Sequence, residues 1–230
     1  MKTAVVTGAS SGIGCAITER LLQLDYKVIG ISRRTPELEH HRFVPFTCNL
    51  FDPHETAQLT QRLKQEPDVS LLVNAAGFGV FEPHEELDAA TIEQMIQINL
   101  TVPILLSNAL LRTLKQNNGM LINIASIEAT RSSKFSALYT ATKAGLRAFG
   151  NALFEELRNS GVGVVTINPD MTDTAFFDTL RFGVSEAPHC RLESRDIADA
   201  VEQVLSMRDG AVITEMTLRS QRFGIRKKKL

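Results

Sequence analysis

The start of the chain constrains the fold most. Thr3 to Thr7 is a short apolar run that reads as a buried strand. Gly8-Ala9-Ser10-Ser11-Gly12-Ile13-Gly14 follows at once, and Ile17, Leu21, Leu22 and Leu24 then recur at helical spacing. A strand, a glycine-rich turn and a helix in that order make an anion site. The unpaired N–H groups at the helix start point at a phosphate, and the glycines let the backbone come close to it. The spacing is G-x-x-x-G-x-G, neither the G-x-G-x-x-G of most dinucleotide-binding sheets nor a P-loop. The alternation then continues. Strands are expected at Lys27–Ser32, Phe43–Cys48, Val69–Val73, Met120–Ala125, Val162–Ile167 and Val212–Leu218. Helices are expected from about Pro53 (capped by Asp52) to Lys64, from Thr91 to Leu114, from near Leu138 through Leu157, and from a Ser194 cap to about Met207. No repeat or linker interrupts the series. The pattern predicts one doubly wound α/β domain over residues 1–230, with a mostly parallel sheet of about seven strands and helices on both faces.

Composition narrows the function classes. Hydrophobic residues make up 43%, enough for a substantial core, and the net charge of -1 gives no electrostatic case for nucleic acid. Segment 219–230 forms a basic tail ending in Arg226, Lys227, Lys228 and Lys229, read here as frayed and solubilising. Cys15, Cys48 and Cys190 lack metal spacing and fit a reducing cytosol; the adjacent His40 and His41 and the distant His54 also lack metal-ligand spacing and are read as surface residues. No basic region leads into a long apolar run, and no stretch approaches ~20 uninterrupted apolar residues. A cytoplasmic protein without a membrane, metal or nucleic-acid partner is expected.

Several positions carry chemistry. The end of the second strand is where a ribose 2′-oxygen is read. An acid there suits the hydroxyl of NAD, an arginine the phosphate of NADP. The chain has Ser32-Arg33-Arg34 and no acid before Glu37, so NADP is favoured over NAD, with Arg33 as the better phosphate ligand. Asn74-Ala75-Ala76-Gly77 puts small residues at the ligand-binding edge of the sheet. Pro103 has no N–H, so the carbonyl of Asn99, four residues earlier, loses its helical partner. Tyr139 and Lys143 stand one helical turn apart, thirteen and seventeen residues after Ser126. A cation close to a phenol lowers its pKa from the usual ~10, towards the range where it can give and take a proton. The Ser126 hydroxyl would hold a substrate oxygen beside it. Residues 174–193 form an irregular segment long enough for a lid. Asp25 sits where a helix must turn off, so backbone strain is expected there.

Taken together, Thr7-Gly8-x-x-x-Gly12-Ile13-Gly14, Asn74-Ala75-Ala76-Gly77, Asn99, Ser126, Tyr139-x-x-x-Lys143 and the Pro169 turn resemble the short-chain dehydrogenase/reductase family over nearly the whole chain. The resemblance implies a Rossmann-type domain and a catalytic set of Asn99, Ser126, Tyr139 and Lys143. Tyr139 would be the general acid or base. Lys143 would lower its pKa and bond the nicotinamide ribose, Ser126 would polarise the substrate oxygen, and the Asn99 carbonyl would hold a water beside Lys143. Cofactor contacts are implied for Gly8, Ser10, Ser11, Gly12, Ile13, Gly14, Ser32, Arg33, Asn49, Leu50, Asn74, Ala75, Ala76, Gly77, Pro169, Thr172 and Thr174, besides Tyr139 and Lys143. Three departures stand out. Asn49 replaces the family's aspartate, so altered adenine contact is expected. Asp170 replaces the glycine after the proline. The lid is short, which suggests an open site.

The reading is hydride transfer between nicotinamide and a small-molecule carbonyl or alcohol. Phe78, Gly79, Glu128, Lys134, Phe135, Met171, Phe176 and Phe177 are placed around the reacting carbon. One alternative is reduction of a carrier-bound 3-oxoacyl thioester, for which Arg131, Lys134 and Arg181 could form a basic patch. Another is a non-catalytic NADP-binding redox sensor, which usually lacks the tyrosine or lysine. A homodimer or homotetramer is expected through the two long helices, with Leu146, Phe149 and Leu153 as an apolar stripe.

Overall fold

The computed structural model describes residues 1–228. In chain order the elements are β1 (Thr3–Thr7), α1 (Gly12–Gln23), β2 (Lys27–Ser32), β3 (Phe43–Thr47), α2 (Pro53–Leu63), β4 (Val69–Asn74), α3 (Ala89–Ile96), α4 (Val102–Gln116), β5 (Met120–Ile124), α5 (Ala137–Leu157), β6 (Gly163–Pro169), β7 (Thr172–Asp173), β8 (Phe182–Val184), β9 (Leu192–Glu193), α6 (Ser194–Leu205), β10 (Glu215–Leu218) and β11 (Ile225–Lys227). Seven strands form one parallel sheet in the order β10-β6-β5-β4-β1-β2-β3. The chain winds outward from β1 to β3, returns to the middle at β4, and winds the other way to β10. That reversal opens a crevice at the C-terminal ends of β1 and β4, where sheets of this kind bind ligands.

Alternate strand residues fill the two faces. Ala4, Val6, Val28, Val73, Ile122 and Ile167 pack beneath α1 and α6, whose Ile17, Leu21, Ile197 and Val201 are buried. Val5, Ile31, Leu72, Leu121 and Val164 pack beneath α2, α4 and α5, against Leu59, Leu106, Leu110 and Leu157. Leu153 is buried in this core and Leu146 in a small cluster with Ala125 and Ala129, so the stripe expected at an oligomer interface is not free. Helical spacing gave the period of the stripe but not which side faced the sheet.

Local chemistry explains most element ends. The Asp52 carboxylate accepts from the N–H of His54 and of Glu55, and Pro53 opens α2 where no donor is needed. Asp25 carries φ of 63°, the strained exit foreseen from its place. Three features differ from expectation. The last strand of the sheet begins at Glu215, where pairing with Thr166 starts, and not at Val212. Ser194 is the first residue of α6, and its cap is Glu193, whose N–H donates to Asp196 at 2.8 Å in a reciprocal box. The expected helix Thr91–Leu114 is interrupted by a π-turn over Gln97–Thr101, where the Val102 N–H reaches back five residues to the Gln97 carbonyl. Pro103 cannot donate, and one extra residue in the turn absorbs the missing bond. The window Ala89–Gln116 is long and apolar enough by composition to cross a membrane, and half of it is buried in the fold.

The tail is not frayed. Ile225–Lys227 pairs antiparallel with Phe182–Val184 inside the lid. Alternate residues of a strand bond their backbone whatever their side chains, so a basic run can be ordered by pairing alone. Lys229 and Leu230, at the end of the expected tail, lie outside the described residues.

Candidate active site

The turn after β1 is built for close backbone approach. Gly8 has φ of 73°, and its N–H donates to the Ile31 carbonyl at 2.8 Å. A Cβ on Gly14 would stand 2.3 Å from the Gly8 carbonyl oxygen, so no side chain fits there. The Ser11 side chain makes no capping bond, leaving the first N–H groups of α1 unclaimed by it. Ser10, Gly12 and Ile13 are half-buried beside it and Ser11 is exposed. The Thr7 hydroxyl accepts from Ala75 and Ala76 N–H, each at 3.0 Å, and ties this turn to the one after β4.

Beyond β2 and β3 lies a cavity of about 560 Å³ lined by Arg33, Asn49, Phe51, Phe78 and Gln94. The Arg33 guanidinium lies over the Phe51 ring, 5.2 Å from its centroid. The Asn49 amide oxygen accepts from the Phe51 N–H at 3.3 Å, so part of its accepting capacity is used within its own turn. Leu50 is buried in the core, so only its backbone can face the cavity. The Ser32 hydroxyl donates to the Arg34 carbonyl. Phe51 and Gln94 were not foreseen, because neither stands in a motif. A dinucleotide fits these residues: a glycine cradle that a Cβ would fill, then a cavity beyond β2 and β3 with a guanidinium at its edge.

Ser126 follows β5, and Tyr139 and Lys143 sit in the first turns of α5. All three are buried, at 9%, 7% and 5% exposure. Tyr139 and Ser126 face each other through their hydroxyls. Ser126 Oγ accepts from the Glu128 N–H at 3.2 Å. Lys143 Nζ donates to the Ile124 carbonyl at 3.0 Å and stands 5.9 Å from the Tyr139 ring centroid. A Cβ on Gly77 would meet Nζ at 3.4 Å, so that glycine keeps the space above the lysine clear. The Asn99 side chain bonds both backbone groups of Phe78 and the Thr142 hydroxyl. It fixes the strand-end loop to α5, a contact the sequence did not announce.

The electrostatics correct one expectation. Burial pushes the Tyr139 phenol up to about 12, with the Ser126 hydrogen bond pulling it partly back and the Glu128 carboxylate adding to the rise. Burial pulls Lys143 down to about 8. In the protein alone the lysine therefore does not bring the tyrosine towards neutrality: desolvation outweighs a cation that is itself desolvated and turned to Ile124.

The site is also closed, where an open one was expected. The Phe81 and Phe176 rings lie 5.1 and 5.8 Å from Tyr139, and Phe177 and Phe182 extend the wall. A Cβ on Gly79 would touch Phe176, Phe81 and Tyr139 at 2.8 to 3.0 Å. Of the residues expected around the reacting carbon, Gly79 and Phe176 lie against Tyr139, Phe177 stands behind Phe176, and Phe78 lines the Arg33 cavity. Phe135 is exposed with φ of 64° and carries Lys134 on its ring, so this pair faces solvent. The Glu128 carboxylate turns away into Ser133, Ser136 and Thr140. Thr172 donates to the Asp170 carbonyl and is buried; Thr174 receives the Phe176 N–H and touches Gly12. Asp170 is buried between Arg131 (3.6 Å) and Arg219 (3.3 Å). Arg181 pairs with Glu82, so the expected basic patch of Arg131, Lys134 and Arg181 is not assembled.

A family model described as short chain dehydrogenase matches residues 2–183. An uncharacterized oxidoreductase of Staphylococcus saprophyticus is 33% identical over 230 residues, covering 95% of this chain and 97% of the relative. Among solved structures, an alcohol dehydrogenase from the archaeon Thermococcus sibiricus, complexed with 5-hydroxy-NADP, superposes with a TM-score of 0.86 at 25% identity. It spans 97% of this chain and 99% of its own. A 4-hydroxyisoleucine dehydrogenase complexed with NADH gives 0.83 at 21% identity over 96% and 97% of the two chains, a likeness of fold.

Proposed function

The chain belongs to the short-chain dehydrogenase family and is an oxidoreductase of a nicotinamide cofactor, and on that premise we propose that it transfers a hydride between NADP(H) and an uncharged carbonyl or secondary alcohol. One observation carries the reading: the Tyr139 hydroxyl, the Ser126 hydroxyl and the Lys143 ammonium converge in one buried space beside Gly77. Bound there, the nicotinamide supplies the hydride. Gly8, Gly12, Gly14 and the start of α1 would hold its pyrophosphate, and Arg33 the 2′-phosphate.

The remaining work belongs to the protein. Ser126 Oγ accepts from the Glu128 N–H and turns its own proton to the Tyr139 oxygen, where a bound substrate oxygen would take it over. Tyr139 is protonated at neutral pH and stands ready to donate in the reductive direction. Lys143, a cation below about pH 8, favours the phenolate once the proton has left. The rings of Phe81, Phe176 and Phe182 exclude water and favour a substrate flanked by apolar groups. The carrier-thioester reading loses support because two members of its basic patch, Arg131 and Arg181, are paired with Glu128, Asp170 and Glu82. The sensor reading loses support because Asn99, Ser126, Tyr139 and Lys143 are all present. We place the protein in the cytoplasm, where its three free cysteines stay reduced. We also infer self-association through the outer side of α3 and α4, where Ile96 and Leu105 remain 39% and 42% exposed.

The test is NADPH oxidation against a panel of neutral ketones and aldehydes. Tyr139→Phe is expected to lower turnover by at least ~100-fold while NADPH still binds. Arg33→Ala is expected to weaken NADPH by about tenfold or more and to leave NADH nearly unchanged. Loss of cofactor binding in the first variant, or equal losses of both coenzymes in the second, contradicts the roles given.

A further inference from the structure

Two features of the sequence have no place in the reaction above: Asp170, where the family has glycine, and the basic C-terminal run. They stand at opposite ends of one feature. The Asp170 N–H donates to the Leu218 carbonyl at 2.9 Å, and its carboxylate pairs with Arg219 just beyond β10. From there the chain runs along the lid. The Arg222 N–H donates to the His189 carbonyl at 2.8 Å. Gly224 passes so close to Cys190 and Ser185 that a Cβ would stand 2.9 and 3.0 Å from theirs. Then β11 pairs with β8, Ile225 opposite Val184 and Lys227 opposite Phe182. The Arg226 guanidinium bonds Glu186 at 2.7 Å. Finally the Lys228 ammonium donates to the carbonyls of Phe177 and Asp178, and its N–H to that of Arg181 at 3.0 Å.

We propose that residues 219–228 are a strap that holds the 174–193 lid shut over Tyr139, with Asp170 and Lys228 as positioning residues at its two ends. The proposal rests on the reaction given above for what the lid encloses. Ala175–Phe177 is a single 3-10 turn, too short to hold its own shape. Its last carbonyls are the ones Lys228 takes, as a cation does at the C-terminal end of a helical turn. That turn carries Phe176 and Phe177, and the strand that β11 pairs carries Phe182. The lid's share of the rings around the tyrosine, Phe176, Phe177 and Phe182, is therefore fixed through bonds supplied by the strap, while Phe81 comes from outside the lid. A two-stranded ribbon is marginal by itself, so it can open without unfolding the sheet domain. Substrate enters in the open form and is held in the closed one.

The test uses the full chain and two readouts. In amide hydrogen exchange, Lys228→Ala is expected to speed exchange over 174–193 by at least about tenfold, the loss of two charge-assisted bonds, with β1 and β4 unchanged. Lys228→Arg, which can reach the same carbonyls, should restore the wild-type rate. In steady-state kinetics Lys228→Ala should raise the KM for the carbonyl substrate by about the same factor, with kcat changed less than twofold and NADPH affinity kept. Asp170→Asn should speed lid exchange in the same direction. Unchanged lid exchange in Lys228→Ala overturns the strap, as does equal acceleration throughout the sheet. Faster exchange with an unchanged KM overturns its link to substrate. Exchange needs no turnover, so a protein inert towards every carbonyl would sink the proposed reaction while the strap is still decided.

Discussion

At the scale of single residues, the site shows how burial competes with charge. Tyr139 and Lys143 share a space, yet each is pushed towards its neutral form by the loss of water, to about 12 and about 8. This has a consequence for stability that needs no substrate. The folded pKa of Lys143 lies below its ordinary 10.5, so between pH 8 and 10 the unfolded chain binds more protons. Stability must then rise with pH across that window, by up to roughly 3 kcal/mol for an isolated shift of this size. Tyr139 acts in the opposite sense: its folded pKa lies above the ordinary 10, so its contribution is present below pH 10 and lost towards 12. Urea midpoints of the wild type should climb from pH 8 to 10 relative to those of Lys143→Met. Parallel midpoints in the two proteins would show that the ammonium is not desolvated as described. The spacing of Tyr139 and Lys143 was legible in the sequence; the sign of the shift was not, because it depends on Phe81 and Phe176 arriving from elsewhere.

At the scale of elements, α5 carries the tyrosine and must lie at a fixed height over the sheet. Gly150 sets that height. A Cβ there would stand 2.6 Å from the Thr166 hydroxyl on β6 and 3.2 Å from the Asn123 amide on β5. Alanine favours an isolated helix over glycine by about 1 kcal/mol, but overpacking against central strands costs about 1–3 kcal/mol. Gly150→Ala is therefore expected to destabilise despite its helix propensity, and a raised urea midpoint would contradict the close packing. The edge strand β10 is held to the same helix by a paired Arg147–Glu215 bond, at 2.6 and 2.9 Å, with Asn168 joining at 2.8 Å. The glycine could be flagged in the sequence as costly to its helix. Its partner could not be named before the helix was laid on the sheet.

At the scale of the whole molecule, the exposed side chains of Ile96 and Leu105 lead to an expected light-scattering mass of a dimer or tetramer, reduced towards the monomer by Leu105→Glu. A monomeric wild type would remove the self-association inferred for that side. The sequence by itself determined the order of strands and helices along the chain, the glycine turn, the Asp52 cap and the spacing of Ser126, Tyr139 and Lys143. Each of these is written in spacing of a few residues or in local backbone chemistry. Only the tertiary structure decided that Leu146 and Leu153 face inward, that the lid is closed, and that Arg219 to Lys228 runs along it. Those outcomes depend on which distant segment satisfies a given backbone group or apolar side chain. Ile225-Arg226-Lys227 shows the limit most plainly: nothing in three exposed residues indicates the partner strand forty residues away, because a strand pairs through N–H and carbonyl groups that every sequence shares.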